Sequence, residues 1–441
     1  MTASKTIREV APDGAWTWFN DERAIFHEGL LYTGFVLKEG LPAVACYDPS
    51  TGESQTVALG SEAARQQDDH NNPSLTVLAD GRILAIYARH HQDFFYFYRI
   101  SRNTEPRRPE DWGPEEQLST PDKVTYSNAY RLRKEGNRVY NFFRGVNFNP
   151  GIAISDDNGK TWADPVHLFK TGENNVRPYT RYASNGEDRI DVIYTDGHPR
   201  DLTNSIYHFY YKEGGVYRTD GSLIRRFEDL PFDHDGGERG TVIYPYRESE
   251  YQAGEGPEDY LPFGRGWVWD IHYGADGHPV CVYQALPVPS ESGGEHLPAW
   301  PDSRIHYYYG RWTGSEWETH CIAHAGRGLY EVENFYAGGI SLDPEDPRVV
   351  YFSSNARQPF EQLGEQEDIP LNPKDRYELW RGVTEDGGRT FAWEALTEDS
   401  AVDNLRPIVP LGHGFDRHVL WFRGHYPTFK SYDCEVVGIF A

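Results

Sequence analysis

Methionine and cysteine are scarce in this 441-residue chain, which contains one Met and four Cys. The cysteines are scattered and form no Cys-x-x-Cys pair; they are Cys46, Cys281, Cys321 and Cys434. A disulfide framework is therefore not expected, and reduced thiols are typical of cytoplasmic proteins. The first residues, MTASKTIREVAPDG, show no apolar core of the signal-peptide kind, so we expect a cytoplasmic location.

Long apolar runs are missing as well, and acidic residues far outnumber basic ones. No stretch approaches the ~18 to 20 apolar residues of a membrane span, and the mean hydropathy is −0.70. The 43 Lys and Arg against 68 Asp and Glu give a formal charge of −25. Because such a surface repels nucleic acid and anionic membranes, we expect neither as a partner. An anionic ligand needs a local basic pocket to bind here.

Aromatic residues, glycine and proline are abundant, with 30 Tyr, 43 Gly and 29 Pro. This mixture favours strands and turns over helices. Residues 155–162 (SDDNGKTW) and 384–391 (TEDGGRTF) both follow the pattern S/T-x-D-x-G-x-T-aromatic, and residues 311–317 (RWTGSEW) resemble it. The pattern is that of the Asp-box turn, in which the Asp binds backbone N–H groups and the Gly adopts a positive φ. Two copies, each between strand-like runs, predict a β-propeller.

Repeated strand and turn signals divide the chain into seven units. These units begin near Trp16, Asn71, Tyr126, Val176, Trp267, Phe335 and Leu405. They predict an all-β fold, a seven-bladed β-propeller of four-stranded antiparallel blades. No linker divides the chain, so we expect one domain over residues 1–441, with the last blade closed by the two termini. The Pro-, Gly- and acid-rich stretches 221–264, 286–302 and 356–375 are predicted to be loops, and those of blades five and six are expected to shape the ligand site.

Polar residues are predicted to gather on one face of the propeller. The segment leading into the first strand of a blade and the loop between its second and third strands emerge on the same face. Three consecutive blades place such residues there: His70, His90, Tyr126, Arg144, Arg177 and His198. Together they supply a base, a phenolic acid and guanidinium groups that can hold an anion. Taken singly, each is as easily a packing or surface residue, so the prediction depends on the set.

Several short segments together resemble one family of repeat proteins. They are WTWFNDERA at 16–24, DHNNP at 69–73, YSN at 126–128, FRG at 143–145, RPY at 177–179 and DGHP at 196–199. The combination resembles the BNR-4 repeat proteins, whose characterised members are seven-bladed polysaccharide lyases: ulvan lyases and L-rhamnose-α-1,4-D-glucuronate lyases. The resemblance implies a catalytic site containing His70 and His90, with Tyr126 and Arg144 contributed by the next blade.

The chemistry implied by this resemblance is β-elimination at a 4-linked uronic acid, which leaves an unsaturated uronate. Arg144, helped by Arg177, would neutralise the carboxylate and stabilise the enolate. Either a neutral His70 or an ionised Tyr126 would take the C5 proton, and the other, or His90, would protonate O4. We favour Tyr126 and His70 as the acid–base pair. The partner implied is an anionic uronic-acid-containing oligo- or polysaccharide, and the candidate substrate-binding residues are Arg177, Tyr179, His198, Asn71, Trp18 and Arg23.

Two other functions remain open from the sequence. A sialidase-like glycoside hydrolase shares Asp boxes and uses an arginine cluster, for which Arg23, Arg177 and Arg406 are candidates, but it has six blades. A non-catalytic carbohydrate-binding propeller is the other alternative.

A structural zinc site is a further hypothesis, and no organic cofactor is expected. If Tyr273 lies opposite Val280 in a hairpin, His272 lies directly across from Cys281. His208 and His306, in neighbouring strands, would complete a set of one Cys and three His, which suits zinc. A buried free Cys beside a hydrogen-bonded His is the alternative interpretation. Cys321, near His324, is a weaker candidate ligand.

Overall fold

The computed structural model describes residues 6–172, 176–246, 264–288, 304–330, 335–360, 370–414 and 417–441. Within these ranges the chain forms strands and single-turn 3-10 helices, and no helix there is long and apolar enough to cross a bilayer. The strands form seven antiparallel blades, which confirms the predicted seven-bladed β-propeller. The short helices are Glu62–Ala64, Asp69–Asn71, Pro109–Asp111, Arg133–Glu135, Val146–Phe148 and Phe227–Asp229.

Blades 1 to 3 each contain four strands in chain order. The first strand, β1 (Arg8–Ala11), belongs to the last blade. Blade 1 comprises β2 (Ala24–His27), β3 (Leu30–Val36), β4 (Pro42–Asp48) and β5 (Glu53–Ala58). Blade 2 comprises β6 (Ser74–Val77), β7 (Ile83–Tyr87), β8 (Phe95–Ile100) and β9 (Glu116–Ser119). Blade 3 comprises β10 (Thr125–Leu132), β11 (Arg138–Arg144), β12 (Pro150–Ser155) and β13 (Val166–His167).

Blade 4 departs from this plan because it has six strands. After β14 (Phe169–Lys170) it comprises β15 (Thr180–Ser184), β16 (Arg189–Thr195), β17 (Ile206–Lys212), β18 (Gly215–Arg218), β19 (Leu223–Arg226) and β21 (Thr241–Tyr244). The strand β20 (Phe232–Asp233) pairs with β14. The predicted loop 221–264 is therefore wrong for residues 223–244, where β19 extends β18 and β21 pairs with β17. Buried side chains such as Phe232 and Ile243 anchor these strands.

The last three blades complete the ring. Blade 5 comprises β22 (Gly264–Tyr273), β23 (Pro279–Pro287), β24 (Arg304–Trp312) and β25 (Trp317–Arg327). Blade 6 comprises β26 (Ile340–Leu342), β27 (Val349–Ser354), β28 (Glu378–Val383) and β29 (Ala392–Ala395). Blade 7 comprises β30 (Asp403–Ile408), β31 (His418–Thr428), β32 (Ser431–Phe440) and β1, with Arg8 opposite Gly438. Residues 289–302 and 361–369 of the loops predicted at 286–302 and 356–375, in blades 5 and 6, lie outside the described residues.

Apolar side chains fill the space between neighbouring blades. Leu84 and Val139 pack between blades 2 and 3, and Phe142 and Val192 between blades 3 and 4. In blades 1 to 6 the first strand contacts the first strand of the next blade, so these strands line the axis. The alternation of aromatic and β-branched residues along the strands explains why each blade can bury both of its faces.

Two turns carry the S/T-x-D-x-G-x-T-aromatic pattern, and both join the third and fourth strands of a blade. In blade 3, Asp157 accepts hydrogen bonds from the backbone N–H groups of Lys160 and Thr161, at 3.1 and 2.8 Å. In blade 6, Asp386 accepts one from the N–H of Thr390 at 2.9 Å. The glycine of the pattern in blade 3, Gly159, has φ of +80°, where a side chain is strained.

Candidate active site

Six of the predicted site residues form one continuous cluster at the mouth of the propeller. The segments leading into blades 2, 3 and 4 and the loops after their second strands supply them, as the topology predicted. The cluster comprises His70, His90, Tyr126, Arg144, Tyr179 and His198. The buried rings of Phe19 and Trp267 pack against Tyr179, with centroids 4.5 and 5.3 Å from its ring.

Two histidines stack on each other and share one carboxylate. The rings of His70 and His90 are parallel within 12°, with their centroids 4.0 Å apart. Asp68 lies 2.6 Å from Nδ1 of His70 through Oδ1, and 2.9 Å from Nδ1 of His90 through Oδ2. The short helix Asp69–Asn71 holds His70 in place, because Asp68 also accepts a hydrogen bond from the His70 backbone N–H. With both Nδ1 atoms occupied, each ring has only Nε2 left for a ligand.

The two imidazoles differ in their affinity for a proton. Burial by itself lowers the pKa of His70, but the carboxylates of Asp68 and Asp69 outweigh it and raise that pKa to about 10. Burial and the positive charge of His70 lower the pKa of His90 to about 3, against the opposing effect of Asp68. Near neutral pH the pair therefore holds one positive charge, on His70, beside a neutral His90.

Arg144 is a buried cation that no described carboxylate neutralises. Arg144 is 7% exposed, and none of its hydrogen-bond partners among the described residues is an acid. Nη1 donates to the hydroxyl of Tyr179 at 3.3 Å, and Nη2 lies 3.3 Å from Nε2 of His90 and 3.4 Å from the Thr125 hydroxyl. The Nε–H group is buried and has no partner among the described residues. A buried, unpaired guanidinium is a strong site for an anion.

Tyr126 is held in an uncommon backbone conformation. Its φ is +67°, and the pairing of β10 with β11 shifts register between Thr125 and Asn128. This bulge turns the ring over Arg144, 4.8 Å from the guanidinium carbon, and beside His70. Burial raises the pKa of the Tyr126 phenol well above its usual value, and neighbouring Tyr179 adds to that rise. The phenol is therefore neutral, and it is a hydrogen-bond donor rather than a base.

His198 and Arg177 lie on the blade 4 side of the cluster. The Arg200 backbone N–H donates to Nδ1 of His198 at 3.1 Å, so Nε2 carries the proton that faces the Tyr179 hydroxyl at 3.3 Å. Burial and the charges of Arg200, Arg177 and Arg144 lower the pKa of His198 well below its usual value. The side chain of Arg177 is 24% exposed and pairs with Asp201 at 2.6 Å, so it lies at the rim.

Two acidic residues behind the histidines, Asp68 and Asp69, were not among the predicted site residues. Asp69 lies 2.9 Å from Nδ1 of His70, and its other oxygen accepts from the Tyr426 hydroxyl and lies 3.5 Å from Arg406. The signal was present in the sequence, since two aspartates directly precede His70. Acidic residues are so frequent in this chain that their position alone did not separate them from surface residues.

Three predicted substrate-binding residues are structural instead. Trp18 is 2% exposed, and its faces are covered by Trp269, stacked at 4.4 Å, and by Arg406, at 4.2 Å, so no sugar can stack on it. Arg23 is buried and pairs with Asp21 at 3.2 Å. Asn71 is fully buried, and its amide donates to the backbone carbonyl of Ala64 at 2.7 Å.

The predicted zinc ligands do not come together. In the observed register Tyr273 pairs with Pro279 and His272 with Val280, so Ile271 rather than His272 lies opposite Cys281. His208 instead lies between Asp191 and Thr219, 2.8 Å from each. The turn of this hairpin has five residues, 274–278, one fewer than the assumed pairing of Tyr273 with Val280 requires, so the register differs by one residue.

Three other side chains, on blade 5, are of the types that bind metal ions. His306, Cys321 and His324 place their ligating atoms within 4.8 Å of one another, and the His306 and His324 rings are 4.6 Å apart. His306 pairs with His324 across β24 and β25, and a bulge brings the Cys321 thiol 3.8 Å from Nδ1 of His306. One thiol and two imidazoles are a donor set that suits zinc.

A sequence model described as a BNR repeat-containing family member matches residues 30–325. The chain belongs to this family. No curated protein sequence matches this BNR repeat protein.

Solved structures resemble the BNR repeat protein over nearly its whole length. A PL25 ulvan lyase bound to -[GlcA(1-4)Rha3S]- has a TM-score of 0.66 and 16% identity, covering 97% of this chain and 94% of its own. The polysaccharide lyase Uly1 has a TM-score of 0.52 and 10% identity, covering 98% and 96%. The lectin BP39L from Burkholderia pseudomallei has a TM-score of 0.51 and 9% identity, covering 96% of each chain. At such identities the likeness shows the fold.

Proposed function

We propose that this BNR repeat protein is a lyase that cleaves a 4-linked uronic acid in an oligo- or polysaccharide by β-elimination. The observation that carries the proposal is the buried Arg144, which no described carboxylate neutralises, beside a protonated and a neutral histidine. A uronate supplies the missing anion, and its elimination needs one base and one acid next to that anion. The cluster offers both.

Arg144 makes the C5 proton removable. A carbon-bound hydrogen next to an ionised carboxylate is barely acidic, because its loss places a second negative charge on the same group. The guanidinium neutralises the carboxylate and stabilises the enolate that develops, and burial strengthens both interactions. This local cation also allows a protein of formal charge −25 to hold an anion.

The histidine pair then moves the protons. Neutral His90 takes the proton from C5 on its Nε2, the electrons of that bond form the C4–C5 double bond, and the C4–O4 bond breaks. His70, as the imidazolium, gives its proton to O4 of the departing sugar. Solvent afterwards returns the proton from His90 to His70. This assignment replaces the acid–base pair of Tyr126 and His70 that the sequence favoured, because burial keeps the Tyr126 phenol protonated. The phenol instead donates a hydrogen bond to the substrate.

The stacking of the two imidazoles favours one stereochemistry. Parallel rings only 4.0 Å apart reach the substrate from the same side. They suit a uronate whose C5 hydrogen and O4 lie on one face of the sugar ring, as in D-glucuronate. In its C5 epimer, L-iduronate, these two groups lie on opposite faces. We therefore propose a glucuronate 4-linked to the leaving sugar, and the ulvan lyase with bound -[GlcA(1-4)Rha3S]- supports rhamnose as that sugar.

An assay on rhamnosyl-glucuronate oligosaccharides tests the proposal. A lyase gives a product that absorbs in the near ultraviolet, and the same linkage built on iduronate serves as the stereochemical control. Saturated reducing ends would indicate a hydrolase; of these, the sialidase-like kind has six blades, whereas this protein has seven. Binding without any change in the sugar would indicate a carbohydrate-binding protein, as in the lectin of similar fold. Either result would refute the elimination.

A further inference from the structure

We propose that Asp68 is a positioning residue that joins His70 and His90 into a single acid–base unit. It fixes the tautomer of both rings and directs both Nε2 atoms to the ligand side of the mouth. This inference rests on the proposed function for its kinetic consequence, whereas its structural part can be tested without a substrate.

The contacts of Asp68 serve the two histidines and little else. The residue is fully buried, and each carboxylate oxygen lies within hydrogen-bond distance of one imidazole Nδ1, at 2.6 and 2.9 Å. Oδ1 also accepts from the His70 backbone N–H at 3.1 Å. A buried carboxylate that binds one ring with each of its two oxygens fixes both the spacing and the orientation of the two stacked rings.

The shared carboxylate decides which nitrogen of His90 carries a proton, and it does so for His70 together with Asp69. A carboxylate only accepts, so both Nδ1 atoms must be protonated. Neutral His90 then has its lone pair on Nε2, where Arg144 approaches to 3.3 Å. That lone pair is the one a base needs. The other tautomer would turn an N–H group towards Arg144 and the substrate, and it would abolish the base.

Asp68 also fixes how many protons the pair holds. The charged groups that face the two rings are Asp68, Asp69 and Arg144, and the neutral phenol of Tyr126 lies against His70. Two imidazolium rings stacked at 4.0 Å would repel each other, whereas one imidazolium beside a carboxylate is stable. The pair therefore has one proton to donate and one lone pair that can accept a proton. A β-elimination needs both.

The substitution Asp68→Asn removes the charge and keeps the shape. An amide can accept from one Nδ1–H, but its NH2 group must face the other Nδ1, which forces that ring into the opposite tautomer. We expect kcat to fall about 10²- to 10⁴-fold, as for a wrong catalytic tautomer, with little change in KM because Arg144 still holds the carboxylate. The alkaline limb of the pH profile should move down by about one unit or more, since His70 loses a negative neighbour.

Asp93→Asn is the matched control, because Asp93 is buried on the same loop as His90 but pairs with Arg89. It should leave kcat and the pH profile unchanged. Asp68→Glu, which restores the charge, should recover the alkaline limb at least in part. A fall in activity with an unmoved pH profile would reduce Asp68 to a structural residue and overturn the proposal.

Nitrogen-15 NMR of the histidine side chains tests the same claim on the unmodified protein. The signals of His70 and His90, assigned from His70→Gln and His90→Gln variants, should show Nδ1 protonated in both rings and one charge between them at neutral pH. An Nε2-protonated neutral His90 would overturn the proposal whether or not the protein is a lyase. If these tautomers are found but no uronate is cleaved, the proposed function fails and the positioning role stands.

Discussion

Replacing Arg144 by Gln tests the anion site most directly, because the wild-type side chain is a buried charge without a carboxylate partner. In the ligand-free protein burial by itself disfavours this charge, but the contacts with Tyr126 and Tyr179 outweigh burial and raise the pKa of Arg144. Because these effects oppose each other, the substitution should leave the unfolding temperature nearly unchanged. Substrate turnover should fall sharply at the same time, because the carboxylate and the developing enolate lose their counter-charge.

The size of this loss follows from the burial of the site. Leaving one partner of a buried ion pair unpaired costs about 3–5 kcal/mol. Arg144 is 7% exposed, so solvent screens little of this interaction. At about 1.4 kcal/mol per tenfold change in rate, kcat/KM should fall about 10²- to 10³-fold or more. Arg144→Lys keeps the charge but cannot reach Tyr179 and His90 together, so it should lose less than Arg144→Gln.

Arg138→Gln is the control at the other end of the same strand. The side chain of Arg138 is 37% exposed and pairs with Asp156, so its loss should change kcat/KM less than about fivefold. The measurement is the initial rate of absorbance increase on a glucuronate oligosaccharide, together with the unfolding temperature of each variant. Equal rates for the two Gln variants, or a large drop in unfolding temperature for Arg144→Gln alone, would show that Arg144 is structural.

Three further outcomes follow from the site and from blade 5. The kcat/KM should rise as His90 loses its proton near pH 3 and fall as His70 loses its proton near pH 10, leaving a broad plateau; a narrow optimum near pH 6 would contradict these charge states. Tyr126→Phe should keep a measurable rate, reduced about 10- to 100-fold, because the phenol donates a hydrogen bond rather than removing the proton; complete loss would return the base to Tyr126. We also propose that His306, Cys321 and His324 hold a structural zinc ion, so elemental analysis should find about one zinc per chain; a Cys321→Ser variant with undiminished zinc would exclude this site.

The fold was predictable because its signals repeat. Seven repeats of strand and turn signals, together with the two similar turns at 155–162 and 384–391, all indicate the same architecture, a β-propeller. The additional strands of blade 4 were missed because a single Pro- and acid-rich stretch has no repeat to compare with. Its short strands are stabilised by neighbours such as β17, which are distant in the sequence.

The positions of the candidate site residues could be predicted from the sequence, but their protonation states could not. The order of strands and loops is enough to predict that His70, His90, Tyr126 and Arg144 lie close together, as they do. Which histidine is charged depends on Asp68 and on burial, and both are properties of the folded state. Arg23 and Trp18 were wrongly predicted to bind substrate. The short segment that contains them buries both side chains, and a linear motif does not show which of its side chains point into the core.

The predicted set of zinc ligands was wrong by one residue of register. Side chains on a strand alternate between two faces, and the turn after Tyr273 is one residue shorter than assumed, so His272 lies opposite Val280 rather than Cys281. Pro279 was counted in the turn, but proline is accepted at the first position of a strand, where the structure has it.

The pairing of Arg8 with Gly438 has a consequence for how the chain folds during synthesis. The outermost strand of the final blade, β1, is made long before its partner β32, so the blade cannot close until β32 has been synthesised. Whenever β1 is not paired with it, β32 has an exposed edge, which is a template for intermolecular pairing. The N-terminal segment therefore acts as a guard against aggregation, and any fusion partner that captured it would leave that edge open.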